Sequence, residues 1–202
     1  MDFTKEINGH TLEFFEDEHL YLVDGVIMPS ITQILAHRFG CKYRHVSPDV
    51  LRRAADAGTA VHEAIERYCT TGEESDLSEL RNFKFLQRQY GFEVEKNEVP
   101  VILHRVNDWE PIAAGRLDLV LWMDGKIGGA DIKRTSTLDK ESVAYQLNIY
   151  RIAYRQCYRD EWEFLRAIHL REDVRRFVDV PINEEMAWRL VNDYMEANNA
   201  EH

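Results

Sequence analysis

The 202-residue chain has no apolar run long enough to cross a bilayer, and its opening, MDFTKEINGH, lacks the basic-then-apolar pattern of a secretory leader. A cytoplasmic protein with no membrane association is therefore expected. Cysteine is scarce. Cys41, Cys69 and Cys157 are odd in number and far apart, which argues against a close-spaced zinc or iron–sulfur site and for buried free thiols in a reducing compartment. No repeat, low-complexity tract or Pro/Gly-rich linker divides the sequence. Positive charge is also in short supply: the net charge of −11 discourages nonspecific binding to phosphate backbones but leaves room for a local site. Arg52–Arg53, Lys133–Arg134, Arg151 with Arg155, and Arg175–Arg176 form small basic groups. Folding can gather them along one groove or leave them as solvated faces.

What is present fits one folded unit over 1–202. The length suits a single core, and 45% apolar with 30% charged residues is ordinary for a globular chain. Asn8-Gly9 and Asp24-Gly25 are two-residue turn signals flanked by the strand-like HTLEFF and HLYLV, so residues 1–30 are read as a β-meander. Ser30 and Gln33 form a capping box at the start of SITQILAHRF. Ser47-Pro48 opens a further helix, with Gly58 as a candidate break. After the polar GEESDLSEL come the helix LRNFKFLQRQYG and the strand EVPVILHRV. The helix KESVAYQLNIYRIAYRQ follows the central hairpin, then the strand pair EFLRAIHLR and RRFVDVPI, and a last helix capped by Asn183. The order implies an α+β fold, a central mixed sheet flanked by helices.

The hairpin lies in GRLDLVLWMDGKIGGADIKRT. Asp124-Gly125 tolerates the positive φ of a type I′ turn. Counting outward sets Met123 against Lys126, Trp122 against Ile127 and Asp118 against Asp131, with Lys133 on the face of Asp131 and opposite Arg116. Gly128-Gly129 offers a bulge that would shift this register by one. Cross-strand like charges about 5 Å apart destabilise a hairpin unless a cation lies between them. Paired carboxylates suit Mg²⁺; the alternative is an exposed face on which Lys133 and Arg116 act as counter-charges.

GRLD, a short hairpin, DIK and then QLNIY resemble the PD-(D/E)XK nuclease superfamily, and more closely its RecB-like and phage exonuclease branch. That branch has an upstream histidine, here His62 in GTAVHEAIE, and a downstream QxxxY, here Gln146 and Tyr150. The N-terminal stretch HLYLVDGVIMPSITQIL also fits, so the likeness covers nearly the whole chain, with residues 98–155 as catalytic hairpin and QxxxY helix. Two positions depart: Leu117 stands where the superfamily has proline, and Asp131 where glutamate is more frequent.

The resemblance implies a restriction-endonuclease-like fold and a DNA nuclease. It implies Mg²⁺ or Mn²⁺, as one or two ions, held by Asp118, Asp131, the Ile132 carbonyl and His62. Imidazole shifts the preference toward Mn²⁺. Lys133 would position the attacking water and stabilise charge on the phosphate, and Gln146 and Tyr150 would hold Lys133 or the substrate backbone. Glu66, one turn after His62, Glu98 in the preceding strand, and Arg116 are further candidates. The expected activity is a metal-dependent exonuclease of phage replication, recombination or DNA repair, hydrolysing phosphodiester bonds with a metal-activated water. An endonuclease or single-strand nuclease with the same site, or a non-catalytic nucleic-acid-binding module on the same fold, are the alternatives. The sequence has no P-loop, so duplex opening would come from a recombination, helicase or single-strand-binding partner. A homo-oligomer would be one way to concentrate basic residues around DNA.

Overall fold

A computed structural model describes residues 2–43 and 45–199. Strands β1 (Phe3–Ile7), β2 (His10–Phe15), β3 (Leu20–Val23) and β4 (Val26–Met28) form the expected antiparallel meander. Its turns at Asn8-Gly9 and Asp24-Gly25 hold both residues at positive φ. Helix α1 (Ile31–Phe39) starts at Ser30, whose hydroxyl accepts from the Gln33 backbone N–H at 3.1 Å while the Gln33 side chain accepts from the Ser30 N–H at 2.7 Å. Both halves of the capping box are therefore made.

Helix α2 (Pro48–Thr71) runs unbroken through Gly58, because one glycine costs only about 1 kcal/mol in a helix interior and the apolar stripe continues past it. Helix α3 (Ser78–Tyr90) and strand β5 (Glu93–His104) both begin earlier than the sequence pattern indicates. The alternation in β5 is hidden by a register shift between Val94 and Lys96. The hairpin strands are β6 (Pro111–Met123) and β7 (Lys126–Lys133). Helix α4 (Lys140–Tyr158) then crosses over to β8 (Phe164–Leu170), which lies parallel to β7, and β9 (Arg175–Val180) pairs antiparallel with β8. Helix α5 (Glu184–Asn199) is capped by the Asn183 side chain, which accepts from the Met186 N–H at 3.0 Å.

The main sheet has the order β5-β6-β7-β8-β9, mixed because one connection is a helical crossover. One face packs on α1, α4 and α5 through Ile34, Leu147, Ile149 and Leu190. The other packs on α2 and α3 through Val61, Ile65, Leu80 and Phe83. Successive β6 residues serve the two faces in turn, Leu119 and Leu121 on the α2–α3 side and Val120 on the other.

The β6–β7 register is the one counted from the turn: Met123 faces Lys126, Trp122 faces Ile127 and Leu119 faces Ala130, with no bulge at the glycine pair. Those glycines make room for neighbours instead. A Cβ at Gly129 would lie 2.0 Å from the Trp162 ring, and one at Gly128 would lie 2.5 Å from Phe164. The three cysteines are free, but only Cys157 is buried and Cys41 is exposed, because Cys41 falls in the short 3-10 turn Gly40–Tyr43 rather than on a packed face. Among the described residues, no helix is long and apolar enough to cross a membrane.

Candidate metal and catalytic site

The β6–β7 ladder stops at Leu119 and Ala130, and the side chain of Asp118 takes over from it. Asp118 Oδ2 accepts from the Ile132 N–H at 2.6 Å, so a carboxylate replaces the strand carbonyl that would otherwise pair there. Lys133 consequently has no ladder position opposite Arg116, as counting alone had placed it. Instead the Lys133 ammonium donates to Asp131 Oδ1 at 2.8 Å, and the Arg116 guanidinium pairs with Glu98 at 2.6 Å.

Three ligand-type side chains converge: His62 from α2, Glu98 from β5 and Asp118 from β6 offer atoms within 4.8 Å of one another. His62 Nδ1 is 3.5 Å from Asp118 and 3.9 Å from Glu98, and its Nε2 donates to the Ile132 carbonyl at 3.1 Å. That carbonyl, expected as a ligand, here orients the imidazole and turns Nδ1 toward the carboxylates. The register 97-to-119 and 99-to-117 sets Glu98 across from Asp118, so the middle strand carries Asp118 with an acid at the corresponding position on each side. Glu98 has φ of 46°, a left-handed backbone inside an extended strand that costs roughly 1–3 kcal/mol and occurs most often at functional sites.

Burial raises the Asp118 and Asp131 carboxyls above the ordinary carboxylate range, against the pull of His62 on the first and Lys133 on the second. Burial also lowers His62, but the carboxylates of Asp118, Glu98 and Asp131 outweigh it and hold its proton up to about 9. Asp131 is 2% exposed. Its Oδ2 lies 2.8 Å from Lys133 Nζ without hydrogen-bond geometry, leaving a buried oxygen unsatisfied. Two carboxylates and an imidazole, with a third carboxylate beside them, fit a hard divalent cation with some tolerance for nitrogen.

These groups line a cleft of about 970 Å³ between α2 and the splayed strand ends. Gln146 and Tyr150 reach it from α4, and the Tyr150 hydroxyl donates to the Arg116 carbonyl at 2.9 Å, fixing the strand that carries Asp118. Burial pushes the Tyr150 phenol well above its ordinary value, so it stays a donor. Glu66 lines the cleft one turn beyond His62, while the carboxylates nearest the ring are those of Asp118 and Glu98. Tyr21 of the meander completes a wall; nothing in its short strand sets it apart from a core tyrosine.

The basic groups do not gather in one groove. Arg151 and Arg155 are engaged by Glu161 and Glu184, whereas Lys133 and Arg134 stay beside the site. No family model and no curated protein matches the chain. Among solved structures it is similar to one described as the crystal structure of SSO0001, at 16% identity and a TM-score of 0.49 over 84% of this chain and 76% of that one. So distant a likeness carries no argument about this chain.

Proposed function

We propose that the chain is a divalent-metal-dependent deoxyribonuclease of the PD-(D/E)XK superfamily, nearest the RecB-like and phage exonuclease branch, hydrolysing phosphodiester bonds in DNA. The observation that carries this reading is the half-buried Asp118. It is flanked across the sheet by Glu98 and Asp131, faced by the inward nitrogen of His62, and shares one cleft with Lys133. Without metal the three carboxylates are matched in number by Lys133, Arg116 and a protonated His62; a divalent cation would take the place of the His62 proton and add a hard charge among oxygen ligands.

When bound, Mg²⁺ or Mn²⁺ supplies Lewis-acid stabilisation of phosphoryl oxygens and a water of lowered pKa. Asp118, Glu98 and His62 Nδ1 would hold the ion, with Asp131 beside them. The Lys133 ammonium, tethered by Asp131, stands where it can orient the attacking water and stabilise charge building on the phosphate. Its carboxylate neighbour favours the charged form, so Lys133 acts as a cation rather than as a general base. Tyr150 locks the β6 backbone, and Gln146, one turn before it, lines the same cleft. A cytoplasmic setting and a helicase or single-strand-binding partner that opens duplex DNA belong to the same reading.

The test is incubation of end-labelled linear and closed circular DNA with Mg²⁺, Mn²⁺ or EDTA. Metal-dependent loss of the linear substrate, abolished by Asp118→Asn, is expected; intact DNA under every metal condition overturns the proposal. Cleavage of the circle would assign an endonuclease. Metal-dependent DNA binding without cleavage would favour the non-catalytic reading, for which the internal Lys133–Asp131 and Arg116–Glu98 pairs speak.

A further inference from the structure

The apolar stripe of α2 outruns its packing. Val50, Ala54, Ala57, Val61 and Ile65 follow one another at helical spacing, but only Val61 and Ile65 meet the core, and residues 48–56 are exposed throughout. This free end forms one wall of a second cleft, of about 850 Å³, with Val46, Val50, Leu51 and Ala54 toward its interior. Val46, Val50 and Leu51 are 36%, 52% and 38% exposed, an apolar patch with no partner among the described residues.

The opposite wall has a different chemistry. It consists of the hydroxyl run Thr135, Ser136 and Thr137 after β7, with Lys133, Arg134 and Arg171 around it. Counting its whole lining, four residues are basic and Asp139 alone is acidic, a local reversal in a chain of net charge −11. Lys42 pairs with Asp139 at 2.5 Å and Arg134 with Glu79 at 2.8 Å, while Arg171 enters no ion pair among the described residues. The second cleft is continuous with the first: Ala55, Gly58, His62 and Lys133 line both.

We propose that this second cleft binds the substrate strand beyond the scissile phosphate as single-stranded nucleic acid. Unpaired bases lie against the apolar end of α2, and phosphates run along Arg134, Arg171 and the hydroxyls. The inference rests on the nuclease reading for its register with the active site. A duplex hides its base faces and offers nothing to an apolar wall, whereas an unpaired strand presents a base face and a phosphate at every step, which is the pairing of surfaces these two walls provide.

The test is fluorescence anisotropy of a labelled oligothymidylate about a dozen nucleotides long. Ca²⁺ would occupy the oxygen ligands, and a gel would confirm that the oligonucleotide stays intact. The whole chain is compared with the double variant V50D/L51D and with Arg171→Glu. Val50 and Leu51 are exposed and Arg171 is half-buried without an ion-pair partner among the described residues, so thermal midpoints should match the parent. Each variant is expected to weaken binding about tenfold or more, and a hairpin duplex of equal length should bind the parent at least about tenfold more weakly than the single strand. Unchanged affinity in both variants assigns the apolar wall to a protein partner and overturns the inference, as does a duplex bound as tightly as the single strand or an oligothymidylate not bound at all. Failure of the nuclease reading shows separately, as intact DNA in the metal-dependent cleavage assay with the parent chain.

Discussion

Asp118 has two roles, and one substitution separates them. An asparagine there keeps an oxygen for the Ile132 N–H but removes the charge that faces His62. Asp118→Asn should therefore fold, with a thermal midpoint at or above that of the parent, yet lose the heat of Mn²⁺ binding in calorimetry together with cleavage. Lys133→Ala should retain metal binding and lose about 10²–10³ in turnover, the usual consequence of removing one electrostatic contact to a transition state. His62 sets the pH behaviour. Its folded value of about 9 lies above the ordinary 6.5, so the folded protein holds this proton more tightly than the unfolded chain. The resulting stabilisation is complete below about 6.5 and lost as pH rises through about 9. Without metal, the urea midpoint should fall across that window by the equivalent of about 3 kcal/mol, and His62→Gln should flatten the fall. Added Mn²⁺ should reverse the trend, because binding expels the proton and is favoured where the proton is already leaving.

At the scale of elements, local chemistry made much of the fold legible. The capping box at Ser30, the asparagine cap at Asn183 and the Asp-Gly turn each depend on a few adjacent residues, and each was readable for that reason. The register of the central hairpin followed from its turn, which brought Asp118 and Asp131 to the same end of the sheet. What could not be read depends on distant partners. Glu98 was legible only as one candidate in the preceding strand; its position across from Asp118 comes from the β5–β6 pairing, which no local signal sets. The convergence of α2 on the hairpin, and with it the direction of His62, is tertiary. Gly128-Gly129 reads as a bulge when only the strand is considered; Trp162 and Phe164 arrive from β8 and the segment before it, and they explain the glycines by space. Gly129→Ala should thus destabilise the protein by at least about 2 kcal/mol, measured as a lower urea midpoint, since a Cβ there meets a ring that has no room to retreat.

At the scale of the whole molecule, an acidic chain proposed to act on an acidic polymer must confine its attraction to a small area. With Arg134 and Arg171 as the basic residues along the phosphates of the second cleft, counterion release predicts a modest salt response. The logarithm of single-strand affinity should fall against the logarithm of salt with a slope of about −1.4. A slope several times steeper in a titration would mean that a much larger basic surface, such as that of an assembled ring, takes part. The two-faced burial of the main sheet has a consequence for ancestry. Residue 129 can lack a side chain only because the indole at 162 occupies its space, so the two positions are bound to change together. A descendant that acquires bulk at 129 would have to give up the large ring at 162, so the two sites would trade volume as one unit.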